Sequence, residues 1–540
     1  MARYTVFVVC LVLAVALSIC YWMGWVLGWW PALAIALSLV GFYDITQRRH
    51  SVLRNYPVIG HMRYLLELIR PEIRQYFIES DTESIPFSRS QRAIVYQRAK
   101  QQIDKRPFGT QLDVYAEGFE WLNHSMAPRH VADHDFRVTI GDQPQRAPGA
   151  TSCSQPYNSS IFNISAMSFG SLSANAIASL NRGAKLGGFA HDTGEGSISR
   201  YHKEHGGDLI WEIGSGYFGC RQPDGSFCEE RFVRNAQLDQ VKMIEIKLSQ
   251  GAKPGHGGML PGPKVTPEIA EARGVEPFKD VISPASHSAF STPIELLEFV
   301  DRLRRLSGGK PVGFKFALGH PWEWFAICKA MIKTGITPDF IVVDGKEGGT
   351  GAAPAEFLDR IGTPMRDALV LVNNTLVGLN LRHRIRIGAA GKIVTAFDVA
   401  RVMALGADWC NSGRGFMFAL GCIQAQSCHT GRCPTGVATQ DPERQKALVV
   451  ADKATRVANF QQNTLKALAE LVGAAGQNHP TELKPHHIVM RTDQGRVATL
   501  ATLHLHLQPG ELLDADAEPA VFKRFWSMAS PDTFEPQHGF

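Results

Sequence analysis

The chain opens with two apolar stretches and then changes character. Residues 4–21 and 25–43 are almost wholly apolar, with Pro31 as the one break in the second. As a helix, each can cross the hydrocarbon core of a bilayer, which is about 30 Å thick. Aromatic residues cluster at the junction, where interfacial belts lie: Tyr21, Trp22, Trp25, Trp29 and Trp30. The pattern predicts a two-helix membrane anchor over residues 1–45 that contacts lipid.

Basic residues flank this hairpin on both sides. Arg3 precedes the first apolar stretch, and Arg48, Arg49 and Arg54 follow the second. By the positive-inside rule, both ends face the cytoplasm, so we expect a catalytic domain on the cytoplasmic face of a bacterial membrane. A cleaved signal peptide is one alternative, although no A-x-A-type site occurs and a second apolar stretch follows at once. A re-entrant hairpin is another.

The hydrophobic pattern then divides the rest of the chain into three parts. Residues 46–154 are mixed and charged, with helical periodicity in 62–78 and 91–103, and predict a linker and a helical cap. Residues 155–440 alternate short apolar or β-branched runs, Gly-rich loops and helical stretches. Residues 441–540 predict a helix over 447–472 followed by a tail.

The alternating part contains nine candidate strands. They are residues 161–167, 188–192, 209–213, 243–248, 281–284, 312–317, 340–343, 385–389 and 407–411. Alternation of β and α predicts an α/β fold, a (β/α)8 TIM barrel with insertions. Because such a barrel has eight strands, one run must lie outside it, and we expect that run to be 209–213. A doubly wound open sheet is the alternative, but no G-x-G-x-x-G turn follows the first strand.

Composition narrows the function. A chain of 540 residues with 44% hydrophobic content can hold more than one domain. The formal charge of +5 is small for this length, and no basic stripe interleaved with aromatics occurs. These features exclude nucleic acid as an expected partner.

Three cysteines form the most specific chemical motif. Cys422, Cys428 and Cys433 lie in GCIQAQSCHTGRCPTGVATQ, with Pro434 after the last. The spacing is not the C-x-x-C of a zinc knuckle, and three thiolates on one loop suit a three-iron cluster better than a structural zinc, which takes four ligands. Three loop thiols without metal are the alternative. We expect Cys328 and Cys410 to be core thiols.

Glycine-rich loops follow the predicted strands. In a parallel barrel these loops meet at one face, where the chemistry occurs. The loops at 388–392 and 412–415 would present backbone N–H groups ahead of helices, a standard phosphate site. Together with the cysteines, they indicate a redox barrel with a phosphorylated cofactor.

The motifs resemble those of one family. Six segments, in this order over about 162–440, are similar to the FMN-binding synthase domain of glutamate synthase: ISAMSFGSLS, DTGEGSISRY, IKLSQGAKPGHGGMLPGPKVTPEIAEARG, DGKEGGTGAAP, NNTLVGLNLRHRIRIGAAGKI and ALGCIQAQSCHTGRCPTGVATQ. The resemblance implies a barrel that binds FMN and a 3Fe-4S cluster, with Cys422, Cys428 and Cys433 as cluster ligands. It places Ala166, Met167 and Ser168 along the flavin, Lys315 near its N1 and C2 carbonyl, and Gly391, Gly413, Arg414 and Gly415 at its phosphate.

A cation beside N1 also suits the charge of a reduced flavin, so Lys315 is a candidate on chemical grounds. The alternative is a salt-bridged structural lysine.

The resemblance also implies a substrate site. Glu195, Lys253 and Arg273 are counterparts of residues that hold 2-oxoglutarate. Lys253 and Arg273 would clamp a dicarboxylate, and Glu195 would relay a proton. Two positions depart from the family pattern, Met259 where a glutamine is expected and His256 where an acidic residue is expected. These changes put glutamate as the product in doubt.

Two functions follow. The first is a membrane-anchored FMN and iron–sulfur oxidoreductase that reduces a 2-oxo acid or imine. Its electrons come from a separate donor, since no NAD(P)H-binding fingerprint occurs, and its nitrogen from ammonia, an amine or another subunit, since no glutaminase sequence occurs. The second is an electron-transfer module between a quinone or carrier and a partner protein, without substrate chemistry.

Overall fold

The structure is a computed structural model that describes residues 2–83, 85–143, 149–514 and 520–537. It divides into two compact units, Met1–Arg89 and Ser90–Phe540.

The first unit begins with two apolar helices. Helices Thr5–Trp22 and Trp29–Thr46 are long and apolar enough to cross a membrane, a criterion of length and composition that a signal sequence also meets. They pack closely at Gly41, where an added Cβ would lie 2.2 Å from the Phe7 ring. Two further helices follow, Ser51–Asn55 and Gly60–Ile73, and the latter continues as a π-helical turn over Arg74–Ile78.

The second unit contains a closed barrel of eight parallel strands. Each strand pairs with its neighbours in chain order, and the last pairs with the first through Cys410 and Phe162. The strands are β1 Phe162–Ile164, β2 His191–Asp192, β3 Leu209–Ile213, β4 Val241–Lys247, β5 Val312–Phe316, β6 Phe340–Asp344, β7 Arg386–Ala390 and β8 Trp409–Ser412. The predicted (β/α)8 fold is confirmed.

Helices cover the outside of the barrel. Both faces of each strand are then covered, and all five residues of β5 are buried, Lys315 among them. The start of helix Pro293–Leu306 is fixed by a capping box between Thr292 and Glu295. The helices of the barrel and its loops are Ala174–Gly187, Arg200–Lys203, Glu229–Ala236, Pro267–Arg273, Pro293–Leu306, Pro321–Thr334, Ala355–Arg360, Met365–Gly378, Ala396–Ala404 and Arg414–Leu420.

The expectation for the ninth strand was wrong. Leu209–Ile213 is β3, with all five residues buried between β2 and β4. The strand outside the barrel is Val281–Ile282, which pairs antiparallel with Met259–Leu260 in the loop after β4. Ile282 is 68% exposed. Short apolar runs look alike in sequence, and only their long-range pairing tells them apart.

Further elements pack around the barrel. Helix Arg89–Ala99 precedes it, and strand Arg137–Ile140 pairs with Tyr157–Ser160. The long helix Val450–Ala474 packs on Ala174–Gly187, where Val457 approaches Gly183. Further α-helices in the described part of this unit are Pro442–Gln445, Leu500–Leu503 and Ala520–Met528.

The C-terminal part is more than the predicted helix and tail. Strand Ile488–Arg491 pairs antiparallel with both Val497–Thr499 and Glu120–Leu122. Strand Glu120–Leu122 precedes its partner by more than 360 residues, because Trp121 pairs with Val489. Residues before and after the barrel therefore share one small sheet.

Candidate active site

Four charged side chains meet at the carboxyl end of the barrel strands. Glu195 lies in the loop after β2, and Lys247 is the last residue of β4. Lys253 lies in the loop after β4, and Arg273 ends the helix Pro267–Arg273 in that same loop. We call Glu195, Lys247, Lys253 and Arg273 the cation cluster.

Glu195 is held as a carboxylate within this cluster. Lys247 Nζ lies 3.0 Å from Glu195 Oε2. Burial alone would raise the pKa of Glu195, but Lys247, Arg273 and Lys253 outweigh it and lower the pKa to about 2. At neutral pH, Glu195 is therefore ionised and accepts hydrogen bonds.

The cluster carries more positive than negative charge. Arg273 is only 4% exposed, and its pKa is lowered by burial. Its Nη2 donates to the Phe169 carbonyl at 3.2 Å, and its Nε has no hydrogen-bond partner among the described residues. Lys253 is half-buried, which lowers its pKa, and makes no ion pair within 4 Å in the described part of the chain. Two cations without a partner carboxylate form a site suited to an anion.

Two glycines in the loop after β4 allow the backbone to approach closely. A Cβ on Gly258 would lie 2.3 Å from Glu195 Oε1, and one on Gly251 would lie 1.7 Å from the Gly345 carbonyl oxygen. The Gly251 N–H donates to Asp344 Oδ2 at 2.9 Å. These contacts hold the loop of Lys253 against both Glu195 and the end of β6.

Below the cation cluster, buried carboxylates surround Lys315. Lys315 on β5 is 3% exposed, and its Nζ lies 2.9 Å from Glu245 Oε1 and 3.9 Å from Asp192 Oδ2. It also bonds to Glu212 Oε2. Glu212 and Glu245 stand side by side because β3 and β4 pair in that register. We call Asp192, Glu212, Glu245 and Lys315 the acid cluster.

The residues of the acid cluster change one another's pKa values. Burial, with Glu245 and Glu212 nearby, raises the pKa of Asp192 well above its ordinary value, and burial raises that of Glu245. Burial would lower the pKa of Lys315, but Glu212, Glu245 and Asp192 outweigh it and raise that pKa. The lysine therefore stays charged while Asp192 and Glu245 hold protons more tightly than they would in water.

Sequence reasoning missed Lys247, Glu212 and Glu245. All three are charged residues inside or at the end of an apolar strand: LIWEI in β3 and VKMIEIK in β4. Buried glutamates are rare unless paired, so a lone glutamate in such a run was the available signal. A lone glutamate in an apolar run does not show which residue it pairs with.

The loops predicted to hold a flavin lie close together. Ala166, Met167 and Ser168 follow β1, and a Cβ on Gly413, after β8, would lie 3.7 Å from Ser165 Cβ and 3.8 Å from Met167 Sδ. A phosphate loop beside a small-residue loop fits a phosphorylated flat ring.

The other predicted phosphate residues lie at the same end of the barrel. Gly391, with φ +148°, follows β7 and lies near Glu347. Arg414 Nη2 donates to the Thr350 carbonyl at 2.7 Å. A Cβ on Gly415 would lie 2.5 Å from Ser412 Oγ, so packing also requires glycine there.

The cysteine loop sits at the same face. Cys422 and Cys433 are buried and Cys428 is half-buried. Gln440 Nε2 donates to the carbonyls of Gly170 and Leu172, both at 3.0 Å, which ties the end of this loop to the loop after β1. The cysteines are therefore on the flavin-loop side of the barrel.

The surroundings of the cysteines suit thiolate ligands. Burial would raise the pKa of Cys433, but hydrogen bonds from the backbone N–H groups of Ala438, Thr435 and Val437 and from the Thr435 hydroxyl lower it. Cys428 and Cys433 add to burial in raising the pKa of Cys422, which fits thiols gathered near one another. Backbone donors around sulfur are the usual surroundings of iron–sulfur clusters.

The two departures from the family pattern lie in the loop of Lys253. Met259 is 57% exposed, on strand Met259–Leu260. His256 is exposed, and its ring meets Phe357 edge-on at 5.2 Å. An exposed thioether at Met259 offers a substrate no hydrogen-bond donor.

Comparison with known proteins assigns the family. The profile of the conserved region in glutamate synthase matches residues 111–478. The chain is 40% identical over 493 residues to the glutamate synthase large subunit-like protein YerD of Bacillus subtilis, covering 85% of this chain and 93% of that protein. It is 36% identical over 327 residues to the archaeal-type glutamate synthase [NADPH] of Thermotoga neapolitana, covering 60% of this chain and 61% of that protein.

The solved structures that resemble it do so only distantly. A mandelate oxidase variant matches with a TM-score of 0.38 at 14% identity, covering 76% of this chain and 92% of that one. A flavocytochrome b2 variant matches with a TM-score of 0.40 at 12% identity, covering 85% of this chain and 92% of that one. At these TM-scores the likeness says nothing about the site. The sequence matches show the family: the chain belongs to the glutamate synthase family, as a glutamate synthase-like oxidoreductase.

Proposed function

We propose that this protein reduces a 2-oxo acid, or the imine formed from it and ammonia or an amine, with FMN as the resident flavin and electrons from a separate donor. The cation cluster is the observation that supports this proposal most strongly. In it, the Glu195 carboxylate is held ionised by Lys247 and lies beside Lys253 and Arg273, which have no ion pair within 4 Å among the described residues.

The cluster assigns a task to each residue. Lys253 and Arg273 bind the carboxylates of the substrate, since charge-assisted hydrogen bonds are the strong ones. Lys247 orients Glu195 through its 3.0 Å contact. Glu195 is ionised before substrate binds. Once the substrate's carboxylates neutralise Lys253 and Arg273, Glu195 can take up a proton from the attacking nitrogen and return it to the carbinolamine hydroxyl, which leaves as water.

FMN fits the remaining residues. Ala166, Met167 and Ser168 would lie along its ring, and Gly391, Gly413, Arg414 and Gly415 would hold its phosphate. When bound, FMN supplies hydride chemistry. Lys315 contributes a fixed, buried positive charge beneath the flavin loops. Asp192 and Glu245 lie beside Lys315 and partly cancel its charge.

A 3Fe-4S cluster fits the cysteine loop. Cys422, Cys428 and Cys433 would bind it, and the amide donors around Cys433 would stabilise the thiolate. The cluster would supply one-electron transfer from the donor protein or carrier. The hydrogen bonds of Gln440 to the loop after β1 support a short path to the flavin.

We also propose that the first unit holds the protein on the cytoplasmic face of a membrane. Two apolar helices support this, and helix Gly60–Ile73 after them exposes Leu65, 57%, and Leu68, 73%, as an interfacial helix would. Full-length protein should remain in the membrane fraction after an alkaline carbonate wash and be released by detergent. Release by carbonate alone would contradict the anchor.

Anaerobic reoxidation tests the reaction. Reduced holoprotein should be reoxidised by a 2-oxo acid only when ammonia or methylamine is also present, if the imine is the substrate, or by the 2-oxo acid alone if the carbonyl is. Reoxidation by neither, but by a soluble quinone, would favour the electron-transfer module and overturn the proposal.

A further inference from the structure

A second, strongly basic pocket lies at the rim of the same barrel face. It has a volume of about 520 Å³ and is enclosed by the loops after β2, β3 and β4. Arg273 forms part of its wall, so the pocket lies behind the cation cluster. Its charged lining consists of Arg200, Lys203, Arg221, Arg231, Arg234, Arg273, Glu268 and Glu271.

Six cationic side chains thus face two carboxylates. One carboxylate is already engaged, because Glu268 pairs with Arg200 Nη2 at 2.5 Å and accepts from the Tyr201 hydroxyl at 2.9 Å. Lys203 and Arg234 have no ion pair within 4 Å among the residues described. Like charges gathered in one pocket repel one another unless an anion joins them.

The inner wall of the pocket is organised around one ring. The guanidinium of Arg273 lies 5.0 Å from the centroid of Phe218, and that of Arg221 lies 5.6 Å from it. Both Nε atoms are buried without a hydrogen-bond partner in the described chain. Two buried donors therefore remain free at the back of a basic cavity, which polar groups seldom do without a ligand or water.

We propose that this pocket is a binding site for a small anion that carries two or more charged groups, either carboxylates or phosphates. Guanidinium groups suit both through paired hydrogen bonds. The pocket contains none of the predicted flavin residues and none of the three cysteines, and it shares only Arg273 with the proposed substrate site, so anion binding here can be tested without assuming the reaction. Because Arg273 borders both sites, an anion bound here is coupled to the charge of Glu195.

Calorimetric titration of full-length holoprotein with citrate and with inorganic pyrophosphate tests the proposal. At least one should bind saturably, more weakly as salt rises, and the two arms distinguish a carboxylate site from a phosphate site. Arg221→Gln combined with Arg234→Gln should weaken that binding by roughly 10- to 100-fold while flavin content is unchanged.

The matched control is Arg305→Gln combined with Arg496→Gln, which removes the same charge from two exposed positions outside the pocket. It should leave the affinity within about twofold. Failure of both anions to bind the wild-type protein would overturn the proposal, as would equal weakening by the two double variants. Neither result bears on reoxidation by 2-oxo acids, so this inference and the proposed function fail separately.

Discussion

The cation cluster and the acid cluster lie at the same end of one barrel, yet they are built in opposite ways. The first is carried mainly by loops and has an excess of positive charge around Glu195. The second is carried entirely by strands or their ends and has an excess of carboxylates around Lys315. Each cluster contains one residue whose charge is opposite to that of the others, Glu195 in the cation cluster and Lys315 in the acid cluster. In both cases the surrounding charges keep that residue ionised.

This difference suggests that the cation cluster binds the substrate and that the acid cluster stabilises the barrel. A cation excess at a loop-built surface can be neutralised by an incoming anion. An acid excess inside a closed barrel is neutralised by protons, by Lys315 and, at the 3.9 Å contact with Glu212, by Lys247, rather than by an incoming ligand. Changes in the cation cluster should therefore alter turnover, whereas changes in the acid cluster should alter stability and its pH dependence.

The largest expected effect is on turnover. Glu195→Gln removes the proton acceptor but keeps the shape of the side chain, and should lower turnover by about 10²- to 10⁴-fold with flavin content unchanged. Steady-state rates and flavin absorbance measure both. Glu298→Gln, on an exposed position of helix Pro293–Leu306, is the control and should match the wild type. Equal rates for the two variants would remove the role of Glu195.

The second effect concerns stability. Lys315→Met leaves three buried carboxylates without their cation and should lower the free energy of unfolding by about 3–5 kcal/mol, measured by urea denaturation. Lys333→Met, which breaks the exposed pair with Asp532, should cost about 1 kcal/mol or less. A similar small loss for both lysines would show that the acid cluster does not depend on Lys315.

The third effect concerns substrate affinity. Lys253→Ala removes a cation without a protein partner, so it should raise KM for a 2-oxo acid roughly 10- to 100-fold with flavin retained. Lys279→Ala, an exposed lysine paired with Glu276, is the control and should leave KM unchanged. Loss of flavin from Lys253→Ala would instead show that this residue holds the cofactor.

The smallest effect is a trend with pH. The raised pKa of Asp192 means that the native state binds its proton more tightly than the unfolded chain does, so native stability falls as pH rises above about 4 toward that raised value. Asp192→Asn cannot ionise and keeps an acceptor for the Gly194 N–H. Its stability relative to the wild type should rise with pH over this range. A difference that is constant with pH would contradict the assigned shift.

The same comparison explains what sequence could predict. The barrel follows from the alternation of apolar runs and helices, and Glu195, Lys253 and Arg273 follow from motifs in loops, where chemistry is local. The pairing of Glu212 with Glu245 could not be predicted from the sequence, because it depends on the register of β3 and β4. The wrong exclusion of Leu209–Ile213 has the same origin, since closure of a barrel depends on contacts between distant residues.

The proposed redox centre is tested most directly by the composition of full-length protein isolated without oxygen. We predict about one FMN and about three iron atoms per chain, with the iron lost in Cys433→Ser and retained in Cys410→Ser, which alters a buried thiol on β8. Wild-type protein purified with neither flavin nor iron, and unable to bind them on reconstitution, would contradict it.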